Sequence, residues 1–167
     1  MGNTPPRSGA PDEPTADGAA SSAERRRALT DRLWYEYWML RCTARLQPAE
    51  PALRQAVAES FALHVRNVVD FLYPPEPGLE APSAELWLGE RWRALRPPLS
   101  PVVAEARRRA GAVLADLGRS AEAAPDGALG APRLVISQEI QKAMDLFVSH
   151  LPRAELGERW QIVYPEE

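Results

Sequence analysis

Glu59, His64, Arg66, Asn67 and Asp70 fall within the longest stretch of clean helical periodicity, PALRQAVAESFALHVRNVVDFLY, which runs from Pro51 to Tyr73. They are the residue types that bind anions and move protons. A guanidinium and a carboxamide donate to an anion, and an imidazole titrates near neutrality and can give or take a proton. Arg66 and Asp70 are spaced i, i+4 and can pair, while Glu59 lies two turns earlier, about 10.5 Å by helical rise. Two readings follow. In one, Arg66 is neutralised by Asp70 and the polar groups fix how helices sit against each other. In the other they form a polar groove, with His64 and Arg66 as the candidate catalytic pair.

Other chemistry has little to work with. There is no Gly-rich phosphate loop, no nucleophile elbow and no zinc-protease motif. Cys42 is the single cysteine, so no internal disulfide and no cysteine-based zinc site can form. His64 and His150 stand on different predicted helices without carboxylates at ligand spacing, and no metal or cofactor is expected. The formal net charge of −3 gives no global basic field for nucleic acid. No apolar run approaches the ~20 residues that a membrane span needs, and the first residues lack a signal peptide's apolar centre. A cytoplasmic protein without a membrane partner is the expectation.

The elements that must position these residues read as helices throughout. Residues Met1 to Ser22 are rich in Gly, Pro, Ala, Ser and Asp and cannot bury enough surface to offset ordering, so they are expected as a disordered arm. A single helical-bundle domain is expected from Ala23 to Glu167. Its first helix, from Ala23 to Gln47, carries one stripe of Leu29, Leu33, Tyr37, Leu40 and Ala44. Trp34 and Trp38 lie off that stripe, with Arg41 and Arg45 continuing their side. A helix apolar on more than one side is central to a bundle or part of an interface, and Trp and Arg are residues that interfaces favour.

Pro51 suits the first turn of the second helix, on which Phe61, Val65, Val68, Val69 and Leu72 form the apolar arc. Ser83 is the expected N-cap of a short helix through Leu86, Trp87 and Trp92, broken at Gly89. Ser100-Pro101 opens a third long helix that Gly118 closes. Its Arg107-Arg108-Arg109 run spreads over most of a turn and reads as a solvated face. After a loop from Arg119 to Pro132, a fourth long helix from Leu134 to Leu151 buries Ile136, Ile140, Ala143, Phe147 and Leu151. The tail carries Trp160, Ile162, Val163 and Tyr164, which predicts packing back onto the bundle. No strand is encoded.

The segment ESFALHVRNVVDFLY, Glu59 to Tyr73, resembles a helix of bacterial all-α proteins related to the HEPN domain. These carry Glu-Ser-Phe, His-x-Arg-Asn and Phe-Leu on one helix, and the stretch from Trp34 to Leu40 is similarly placed before it. The resemblance implies an all-α fold and a bacterial defence or toxin–antitoxin setting. HEPN ribonucleases use an Arg followed by a His after four to six intervening residues. Here those positions are Val57, Ala58 and Glu59 before His64, and Ala143, Met144 and Asp145 before His150. None is Arg, and Ser100 to Ser120 contains no His.

The sequence thus reads as an all-α, four-helix-type bundle with short extra helices. The leading function is a non-catalytic interaction module, with a homodimer or another protein as partner. The alternatives are a divergent metal-independent RNase using His64 and Arg66, with RNA as its partner, and a small-molecule binder with its ligand in an inter-helix groove.

Overall fold

The computed structural model describes residues 16–75, 82–115 and 129–163 of the chain. Its described residues form seven α-helices and one short 3-10 turn, with no strand among them: α1 Ala16–Arg45, α2 Pro51–Leu72, α3 Glu85–Leu88, α4 Glu90–Leu95, α5 Pro101–Ala115, α6 Arg133–Ser149 and α7 Glu158–Val163. The fold is all-α, built on the four long helices α1, α2, α5 and α6.

Part of the expected arm falls elsewhere. Residues 1–15 lie outside the described residues, whereas Ala16 to Ser22 open α1, which therefore starts seven residues before Ala23. The compositional argument concerned buried surface. Extending an existing helix needs only one hydrogen bond per residue added and no new nucleus, and three of these seven residues are Ala.

α2 is the element against which the others pack. It contacts α1, α5 and α6, while α1 also meets α6, α7 and the 3-10 turn. Pro51 sits in its first turn behind an extended Glu50, where the missing N–H costs nothing. At the other end Tyr73 donates its N–H to Val69 O at 2.7 Å before Pro74 and Pro75 stop the chain. The expected arc of Phe61, Val65, Val68, Val69 and Leu72 is fully buried, and the side extends to Ala62, His64 and Phe71. The α1 stripe is buried from Leu33 to Ala44, with Leu29 half-exposed at its start.

The short helices are held by aromatic contacts. Gly89, at φ +55, breaks α3 from α4 in a backbone conformation that a Cβ would strain. Phe147 of α6 lies edge-on to Phe71, Trp87 and Trp92, with ring centroids 5.2, 6.2 and 5.5 Å away. Trp92 donates from Nε1 to Leu72 O at 2.7 Å, capping a carbonyl at the end of α2. Ser83 does not cap α3 with its side chain; Ala84 precedes the helix, and Leu86 N–H takes the Ser83 carbonyl instead. Ser100 does cap α5: its Oγ accepts from Val103 N–H at 3.3 Å. Gly118 and most of the expected loop, through residue 128, lie outside the described residues.

The C-terminal segment returns to α1 as its composition predicts. Trp160 is buried, stacks on Tyr37 at 6.2 Å, and donates from Nε1 to Thr30 O at 2.9 Å. Thr30 Oγ1 in turn reaches Glu155 O at 2.8 Å. Gly157 lies so close to Asp31 that a Cβ there would meet its carboxylate. Replacing Trp160 with Ala therefore leaves a large cavity and an unpaired Thr30 carbonyl. Trp160→Ala is expected to lose about 3–5 kcal/mol of stability in urea unfolding; a loss under about 1 kcal/mol, the range of surface changes, would show that the tail is not anchored there.

Candidate functional site

The polar residues of α2 turn to two different neighbours. Toward α1, His64 is only 4% exposed, and its Nδ1 lies 2.7 Å from Glu36 Oε2. A carboxylate can only accept, so Nδ1 carries the hydrogen. Asn67 Nδ2 donates to the same oxygen at 2.9 Å, and the Tyr35 ring stands edge-on to His64 at 5.8 Å. One carboxylate oxygen thus ties two neighbouring turns of α2 to α1.

Toward α5, Asp70 holds two guanidinium groups. Arg107 Nη2 approaches Oδ1 at 2.5 Å, whereas Arg66 Nε stays 3.6 Å from Oδ2. The closer partner is therefore Arg107, not the i, i+4 neighbour that helical spacing predicts. Arg66 remains 54% exposed in its side chain, so this pair is weak. Glu59 stands apart from both groups, exposed and accepting from Gln55 Nε2 at 2.6 Å.

Of the five residues singled out, the structure joins His64 with Asn67, and Arg66 with Asp70. It does not bring His64 and Arg66 into one groove. Two residues apart on an α-helix means about 200° of rotation, which sends one toward α1 and the other toward α5. Sequence reasoning missed Glu36 and Arg107. A signal existed for the buried side: Phe71 stands two turns beyond His64 on the same side of α2, and it is buried.

A cleft of about 500 Å³ opens between α1, α2 and the start of α3. Leu29, Leu33 and Phe71 give it apolar walls, and Arg32, Arg66, Asn67, Ser83 and Glu85 reach it as well. Glu85 is held by Arg93 through paired contacts at 2.8 and 2.7 Å. Those hydrogen bonds lower its pKa, against the opposing effect of desolvation.

The Arg107-Arg108-Arg109 run is consumed by carboxylates. Arg107 meets Asp70, while Arg108 and Arg109 both meet Glu105, at 2.6 and 2.5 Å. The hydrogen bonds from Arg108 and Arg109 hold the Glu105 carboxyl at about 2. No phosphate-binding patch results from this run. Among the described residues, no three His, Cys, Asp or Glu side chains gather as a metal set, and no helix is long and apolar enough to cross a membrane.

The four residues expected at an interface divide. Trp34 and Trp38 stack at 5.7 Å with planes 10° apart. Trp34 is half-buried beneath Arg159, whose guanidinium lies 5.3 Å over its ring, while Trp38 is 44% exposed. Arg41 turns to the Tyr37 ring at 5.6 Å, and Arg45 stands exposed. Trp34 Nε1 is buried without a hydrogen-bond partner among the described residues.

No family model, no curated protein and no solved structure matches the chain.

Burial gives Asp70 and His64 different weights in stability. Asp70→Ala removes a half-exposed pair and is expected to cost about 1 kcal/mol or less. His64→Ala removes a buried ring and leaves Glu36 with one partner, at an expected cost of about 2–3 kcal/mol. Urea unfolding of both variants checks the order; equal losses would mean that His64 is not held as described. The Glu105 carboxyl is a second test. Its folded pKa lies below its ordinary value of 4.5, so its contribution is present above that pH and fades as pH falls toward 2. Carboxyl NMR should show Glu105 titrating near pH 2 and returning toward the ordinary value in an Arg108→Gln, Arg109→Gln double variant.

Proposed function

We propose that the chain is a non-catalytic, cytoplasmic helical interaction module that pairs with a second copy of itself through the outer side of α1. The observation that carries this reading is the exposed aromatic surface there. Tyr35 is 46% and Trp38 44% exposed, and Cys42 lies between them around the helix. Exposed Trp and Tyr beside Arg are what stable protein contacts bury at their centres.

Charge supports a copy of the same chain as the occupant. Asp31 and Arg45 stand seven residues to either side of Trp38, and neither has an ion pair or hydrogen bond among the described residues. A two-fold interface places residue i against j and j against i. Two antiparallel α1 helices crossing at Trp38 set Asp31 of each against Arg45 of the other, with the two Trp38 rings at the axis. The same register sets Tyr35 against Arg41, a pairing that favours a cation over a ring. The burial of His64 against Glu36 supports a positioning role for that pair over proton transfer, which weighs against the ribonuclease alternative.

Sedimentation of the full chain tests the reading. A dimer is expected at micromolar concentration, with Trp38→Ala weakening it at least about tenfold, the scale of a hot-spot residue. Arg45→Asp is expected to dissociate it, and adding Asp31→Arg to that variant should restore it. A wild type that stays monomeric at several hundred micromolar overturns the proposal.

A further inference from the structure

The cleft between α1 and α2 has a charge balance that its lining alone conceals. Three carboxylates face it, Glu36, Asp70 and Glu85, and each is already satisfied within the fold. Glu36 accepts from His64 and Asn67, Asp70 meets Arg107 at 2.5 Å, and Glu85 accepts two bonds from Arg93. The cations are not. Arg32, on α1, makes no hydrogen bond or ion pair among the described residues, and Arg66, on α2, holds Asp70 only at 3.6 Å. What the cleft has left to offer a ligand is guanidinium, above a floor of Leu29, Leu33 and Phe71.

From this arrangement we infer that the cleft binds a small organic carboxylate with an apolar body, its charge on Arg32 with Arg66 assisting and its body on Leu29, Leu33 and Phe71. The volume of about 500 Å³ falls among the clefts that hold small molecules, which combine apolar walls with a few placed polar groups. Guanidinium matches a carboxylate through two parallel hydrogen bonds. A dianion fits less well. Glu36, Asp70 and Glu85 stay negative beside it, and a phosphate alone leaves the apolar floor uncovered. The site is separate from the proposed pairing face, because Glu36 and Trp38 point to sides of α1 about 200° apart. Neither proposal depends on the other.

The experiment uses the full chain and four probes: 3-phenylpropanoate, its neutral amide, 3-phenylpropylamine, and inorganic phosphate. Titration followed by NMR shifts of α1 and α2 amides should give saturable binding of the carboxylate, with the amide about tenfold weaker or worse. That loss is the scale of one hydrogen-bonded charge contact. Arg32→Gln should weaken the carboxylate by about the same factor and leave the thermal midpoint unchanged, because Arg32 has no ion pair or hydrogen bond to lose among the described residues. Arg108→Gln, on the far side of α5's ion pairs, should leave binding as it is. Four results overturn the inference: no saturation of the carboxylate into the millimolar range, equal binding of acid and amide, tighter binding of the amine or of phosphate, or an Arg32→Gln variant that binds as wild type does.

Discussion

A single carboxylate oxygen, Glu36 Oε2, settles how the two longest helices meet. It receives His64 and Asn67 together, so α2 can neither slide nor rotate against α1 without stranding a half-buried charge. Breaking such a group from one side costs more than forming it returns, which makes it a device for register more than for stability. The consequences reach past the pair itself. Once His64 is committed to α1, Arg66 and Asp70 must lie toward α5, and the strip of α2 between them becomes a wall of the cleft. Leu29, Arg32 and Leu33, on the turns of α1 before Glu36, become the opposite wall.

Two of the aromatic rings packed around the long helices place their polar tips on backbone carbonyls. Trp92 sends its N–H to the last turn of α2, and Trp160 sends its own to α1, so both are buried at no polar cost. Phe147 sits at the junction of three edge-on contacts and joins α6 to α2, α3 and α4. These rings explain why helices as short as α3 and α4 persist. Neither is long enough to be stable by its own hydrogen bonds, and tertiary contact holds them.

The distribution of charge follows from the same packing. Twenty Lys and Arg side chains in a chain of mildly acidic balance invite a search for a phosphate surface, but α5 shows why counting fails. Each guanidinium of its Arg run is met by Glu105 or by Asp70 across the helix interface. Among the described residues, Arg32 and Arg45 of α1 make no ion pair or hydrogen bond, and they stand on different sides of that helix: Arg32 at the cleft and Arg45 two turns from the exposed Trp38.

Local rules were enough for the all-α class, the four long helices and most of the buried positions. Helical periodicity, proline stops and the Ser100 cap act within one or two turns, and so they are legible in the sequence itself. The arc from Phe61 to Leu72 is buried because its spacing is helical, and Trp160 returns because a tail so apolar has nowhere better to go. What the tertiary structure decided was partnership. Glu36 lies 28 residues before His64, and Arg107 lies 37 residues after Asp70, separations at which no periodicity operates. A helical wheel puts Arg66 beside Asp70 and leaves His64 among polar residues. Only the arrival of α1 and α5 on opposite sides of α2 separates them, because a charged or hydrogen-bonding side chain pairs with the nearest group in space, and that group was on another helix.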